Sequence, residues 1–188
     1  MYGSRVDEKG QAIQGDSSYV QPVAGERVEG NVLESIGLAQ DKDGNTIETR
    51  ATLTFKQKNG SLVKIALFEG SEGWQIANLN KTIKHLATKV MTEEEYYAGI
   101  EAGGAPSNFV DFINKVSSIV MPKAAGKVFT MKFVYKKGYL TIPTYPNWIA
   151  LPENADTLST NSKYDSYVKE EPTETPKVDV GTTEDSPF

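Results

Sequence analysis

Between Thr46 and Lys56 the chain alternates without interruption. Ile47, Thr49, Ala51, Leu53 and Phe55 fall on one side, and Thr46, Glu48, Arg50, Thr52, Thr54 and Lys56 on the other. Period two over that length marks a strand with one wet face. Asp41-Lys42-Asp43-Gly44-Asn45 before it is a strong turn signal, and Asn59-Gly60 after it is the best short hairpin signal in the chain. The flanking segments read as strands too. Arg27–Leu38 carries Val28, Val32, Leu33, Ile36 and Leu38, a long bent strand in which Gly30 or Gly37 permits a bulge. Ser61–Glu69 turns Val63, Ile65 and Leu67 inward and Leu62, Lys64, Ala66 and Phe68 outward.

After Gly70–Gly73 the period changes. Ile76, Leu79, Ile83, Leu86 and Val90 recur at spacings of three and four, which predicts an amphipathic helix. Thr92 with Glu95 forms a capping box for a short helix to about Glu101. Ser107 or Asn108 caps another over Phe109–Val120, with Phe109, Phe112, Ile113, Val116, Ile119 and Val120 on its apolar side and Pro122 and Gly126 at its end. Lys127–Lys136 alternates again: Phe129, Met131, Phe133 and Tyr135 share one face, Val128, Thr130, Lys132 and Val134 the other. Parity does not say which face is core. Lys136-Lys137-Gly138 turns the chain and Tyr139–Ile142 begins the last strand. The expected fold is mainly β with inserted helices. Three strands, a helical section and two more strands match the five-stranded OB-fold barrel, with its helix between strands 3 and 4.

Composition narrows the chemistry. A chain of 188 residues with 38% hydrophobic content and a mean hydropathy of −0.42 holds one domain plus polar appendages. No apolar run approaches the ~18 residues of a membrane span, and the start MYGSRVDEKGQ lacks a signal-peptide core, so no membrane partner and a cytoplasmic location are expected. Without cysteine there are no disulfides or thiolate sites, and a single histidine, His85, excludes multi-histidine zinc sites. His85 is expected on the solvent side of its helix, and Trp74 in the core. Glu93-Glu94-Glu95 is ordinary charge–dipole complementarity at a helix start. With no nucleophile motif, Walker loop or dinucleotide fingerprint, the expectation is a non-enzyme with no cofactor, no metal site and no catalytic residues.

Charge is unevenly spread. Phe112–Pro152 holds six lysines and no acidic residue in a chain of net charge −5, with large rings in nearly every gap: Phe129, Phe133, Tyr135, Tyr139, Tyr145 and Trp148. Cations interleaved with flat π-surfaces suit single-stranded nucleic acid, whose backbone is charged and whose bases stack. From about Asn161 onward acids outnumber lysines and little could pack. The chain therefore divides into an irregular arm over 1–25, an OB-fold domain over 26–152 and a disordered acidic tail over 153–188. A short strand near Tyr19–Val23 is the one element expected in the arm.

That tail ends Glu184-Asp185-Ser186-Pro187-Phe188, an aromatic ring beside acids and suited to an apolar pocket with a basic rim. A basic, aromatic OB barrel followed by an acidic tail ending in Pro-Phe resembles bacterial and bacteriophage single-stranded DNA-binding proteins. Pro187 and Phe188 match the family's last two positions, and Glu184 and Asp185 part of its acidic run. Ser186 departs from the aliphatic residue of the bacterial motif and the acidic run is short, which points to a phage-encoded relative acting in the host cytoplasm. The resemblance implies a sequence-nonspecific protein that coats single-stranded DNA in replication, recombination and repair, and recruits partner enzymes through its tip.

On an OB barrel the outward faces of the early strands and adjoining loops form the groove. The expected DNA contacts are Arg50, Lys56, Lys58, Lys64 and Phe68, joined by Lys132, Lys136, Lys137 and Tyr139 of the late hairpin and by Tyr145 and Trp148. The acidic tail is expected to occupy this groove until DNA displaces it. Two rivals stay open: a phage structural or assembly protein with a solubilising tail, and an RNA-binding protein of cold-shock type. Oligomeric state is not legible.

Overall fold

Gly30 divides the first strand. The computed structural model describes residues 24–136, 139–143, 147–161 and 163–169, and in it β1 runs over Arg27–Gln40 with Gly30 at φ 79°. That conformation is open to glycine and strained for other residues. A Cβ there would also sit 3.1 Å from the Lys58 side chain. The bulge lets one strand serve two partners. Residues 27–31 pair antiparallel with β4 (Phe129–Lys132), and residues 32–40 with β2 (Thr46–Lys56). Where the β1–β4 ladder breaks between Val28 and Asn31, the buried Asn31 amide donates to the carbonyls of Val28 (2.6 Å) and Phe129 (3.2 Å). The Asn31 Nδ2 thus fills part of the missing ladder, while its Oδ1 is buried without a hydrogen-bond partner among the described residues.

The rest of the first half follows the sequence pattern. Asp41 accepts from the Asp43 and Asn45 amides in the first turn. Asn59 accepts from the Ser61 amide and Gly60 takes φ 86° in the second. β3 (Leu62–Phe68) pairs along β2 in a register that sets Arg50 opposite Phe68, Thr54 opposite Lys64 and Lys56 opposite Leu62. Ala51, Leu53, Phe55, Ile65 and Leu67 are buried, as period two requires.

The second half departs from expectation. The strand expected over 127–136 is two strands. β4 ends at Lys132, and β5 (Val134–Lys136) pairs only with β6 (Tyr139–Thr141) in a separate two-stranded sheet. Phe133 and Val134 are both buried, which an unbroken strand with one wet face forbids, so the chain changes direction between them. The Phe133 carbonyl is taken by the Gly25 amide, and the Tyr135 amide donates to Ser166. The fifth strand of the main sheet is β7 (Ile149–Ala150), not the segment after Gly138. The protein is mainly β, built on the antiparallel sheet β3-β2-β1-β4-β7 with a few helices. Among the described residues no pairing joins β3 to β7, so the expected closed barrel is not formed.

Three helices separate β3 from β4. α1 spans Gly73–Ala87, α2 Glu93–Glu101 and α3 Phe109–Ala124. The Thr92/Glu95 capping box forms, and Asn108 caps α3 by accepting from the Asp111 amide. α3 lies on β1 and β2, burying Phe109, Ile113, Val116, Val120 and Ala124. At the centre of the core Phe55 meets Phe129 and Trp148 edge-on, with ring centroids 6.4 and 6.2 Å away. None of the described helices is long and apolar enough to cross a membrane.

The domain boundary also moves. The tail expected to be disordered from 153 begins with a 3-10 helix over Pro152–Thr157, and Leu158 is buried. Arg27 pairs with Asp156 at 2.8 Å, Ser166 bridges Tyr135, and the Tyr167 ring covers Gly25. A few anchors hold this polar stretch to the body as far as Lys169. Average composition hides such anchors. Residues 1–23, with the short strand expected near Tyr19–Val23, and residues 170–188 lie outside the described residues.

Candidate nucleic-acid interface

From Arg50 to Phe68 the chain carries four cations and no acidic residue. Folding brings them together. The inner side of the β2–β3 ladder is core, so Arg50, Lys56, Lys64 and Phe68 share the outer side, and Lys58 stands in the hairpin turn beyond. None of these cations is in an ion pair among the described residues. Phe68 is 64% exposed on the edge strand, directly across from Arg50. A large exposed ring in register with an unpaired guanidinium can stack on a flat ligand and hold its charge.

The face has an acidic margin. Lys56 and Lys58 line a groove of about 730 Å³ with Glu29, Glu34, Val128 and Thr130, on the side where β1 bends at Gly30. Those carboxylates weaken the potential at the hairpin end, and Glu48, two residues from Arg50 on the same side of β2, weakens it at the other.

The late stretch behaves differently. Its rings are mostly structural: Phe129 and Phe133 are buried, and Trp148 is 1% exposed and cannot stack on anything from solvent. Trp148 is thereby removed from the expected contacts, because its edges complete the core around Phe55. The lysines are dispersed. Lys115 donates to the carbonyls of Ile100, Ala102 and Gly104 at the end of α2, and Lys123 pairs with Glu95 at 2.7 Å. Lys136 donates to the Ile142 carbonyl at 2.9 Å and sits 4.0 Å from Asp165; burial lowers its pKa, partly offset by that carboxylate. Lys132 is half-buried on β4 across from Arg27. Among the described residues of this stretch Tyr139 is 78% exposed on β6 and Lys127 is also exposed, but the hairpin of Tyr139 is paired with neither β2 nor β3. Lys137, Tyr145, Glu184, Asp185, Pro187 and Phe188 lie outside the described residues.

Two more expectations reverse. Trp74, expected in the core, is 66% exposed at the start of α1. A signal for this exists in the sequence: Trp74 is nine residues before the buried Ile83, about 180° away around a helix of 3.6 residues per turn. His85, expected toward solvent, packs 6.5 Å from the Trp148 ring and donates to the Ile149 carbonyl. Burial, with Lys89 nearby, pushes its pKa down to about 4. It fastens α1 to β7 as a neutral side chain.

Between the three helices lies a cleft of about 890 Å³, lined by Leu79, His85, Tyr96, Ile100, Phe109 and Phe112 among others. Lys84 at its edge is paired with Glu93, which raises its pKa, Tyr97 adding to the effect. Among the described residues no group of three or more His, Asp or Glu is placed to hold a metal ion. Comparison with protein-family models, with curated proteins and with solved structures finds no match for this chain.

Proposed function

We propose that this protein binds single-stranded DNA without sequence preference, through the outer face of β2 and β3. The observation that carries the reading is that Arg50, Lys56 and Lys64 share one solvent face with the exposed ring of Phe68, with Lys58 in the adjoining turn and Glu48 as the one acid on that side of β2. Cations neutralise phosphates and displace counterions, and rings stack on bases at about 1–3 kcal/mol each. No set of side chains on this face is arranged to read base edges.

The strand order supports an OB-type reading of the fold. β1 is shared between β2 and β4, the helices fall between β3 and β4, and β7 lies beyond β4. Bringing β3 against β7 would close five strands into such a barrel. In that fold the faces of the second and third strands and the loop after the fourth bind oligonucleotides. The β5–β6 hairpin with Tyr139 occupies that loop position. Recruitment of replication, recombination or repair enzymes through Glu184, Asp185, Pro187 and Phe188 belongs to the same proposal and rests on sequence alone.

The test is titration of the full chain with labelled oligo(dT) at two salt concentrations, with poly(U) as competitor. Binding that weakens with salt and resists poly(U) is expected. Equal competition by poly(U) would favour an RNA-binding protein, and no binding at low salt would return the chain to a structural or assembly role.

A further inference from the structure

Trp74 is the ring that the proposed binding face leaves unused. The chain leaves β3 at Phe68 and doubles back at once. A Cβ on Gly70 would lie 2.7 Å from the Ile76 amide nitrogen, so the turn closes only because residue 70 is glycine. The Gln75 side chain then staples the loop, accepting from the Ser71 amide (2.8 Å), the Ser71 hydroxyl (3.1 Å) and the Glu72 amide (3.2 Å). Glu72 completes the reciprocal capping box of α1. The loop is therefore built, and Trp74 stands out of a fixed backbone.

A tryptophan this exposed on a fixed backbone offers its ring face to a flat partner. Ile76 beside it is also exposed. The partner's chemistry follows from the neighbourhood. Phe68, at 64% exposed, ends the cationic face on one side of the loop, and Trp74, at 66%, begins α1 on the other. From Gly73 to Met91 the chain adds Lys81, Lys84 and Lys89 and no acidic residue, although Lys84 is held by Glu93, and Glu69 and Glu72 stand in the loop between the two rings. A polyanion with flat bases satisfies both features, whereas an acidic peptide would leave the indole without a stacking partner.

We propose that Phe68 and Trp74 form a two-ring stacking platform that carries the single strand off the β2–β3 face onto the start of α1. The platform rests on the nucleic-acid reading given above and extends its path beyond the sheet. Both rings fall within the roughly 4–16 nucleotides that one OB-type module covers.

The chain has two tryptophans, and Trp148 is sealed in the core, so intrinsic fluorescence that responds to oligo(dT) reports on Trp74. Oligo(dT) is expected to quench the wild-type chain. Trp74→Phe should lose the quenching while holding affinity within a few-fold. Trp74→Ala should weaken binding by about 5- to 150-fold, the factor that corresponds to one stacked base. Both variants should melt with the wild type, since the position packs against little. Unchanged affinity in Trp74→Ala, with the wild type binding normally in anisotropy of labelled DNA, overturns the platform and leaves the binding face standing. Absence of wild-type binding overturns both.

Discussion

Lys64→Ala separates the two basic surfaces of this chain. Lys64 stands on the outer face of β3, opposite Thr54 and without an ion pair among the described residues. If single-stranded DNA crosses this face, Arg50, Lys56, Lys58 and Lys64 each neutralise about one phosphate. Four contacts give a slope of log K on log salt of about −2.8 for a single strand, so affinity falls about 50-fold between 50 and 200 mM salt. Losing Lys64 brings the slope to about −2.1 and the fall to about 20-fold. The control is Lys123→Ala, whose ammonium is already held by Glu95 at 2.7 Å and whose removal should leave the slope unchanged. The assay is anisotropy of labelled oligo(dT) across that salt range, with urea unfolding as a check on the fold. A slope that ignores Lys64 and responds to Lys123 would refute the placement on β2–β3 and restore the Phe112–Pro152 stretch.

Stability should fall as pH drops from about 6.5 toward 4. His85 is held neutral in the fold with a pKa of about 4, so acid protonates it preferentially in the unfolded chain, at a cost of about 2–3 kcal/mol by pH 4. Urea midpoints across that window test this, and His85→Phe should flatten the difference. Phe55→Ala removes the ring between Phe129 and Trp148 and should cost about 3–5 kcal/mol in the same assay. Leu158→Ala should cost about 2–3 kcal/mol because the side chain is buried; no loss would mean that the body ends before the 3-10 helix, as composition suggests.

What the sequence determined by itself was every feature that rests on neighbours along the chain. The alternation through Thr46–Lys56 and Ser61–Glu69 gave each side chain its face, because a strand's period is two and only one side met the core. Asn59-Gly60, Thr92 with Glu95, and Asn108 fixed their turn and caps for equally local reasons. Tertiary structure alone decided what distant residues do to one another. It broke the strand at Phe133, because Gly25 and Ser166 offered hydrogen bonds on either side of it. It turned Lys115, Lys123 and Lys136 toward carbonyls and carboxylates elsewhere in the fold, and sank Trp148 beside Phe55. Charge and ring counts are additive along a chain, whereas exposure is a property of packing. The acid-free run from Arg50 to Phe68 became one face because its spacing and its hairpin register agree, and the longer run after Phe112 had no such agreement.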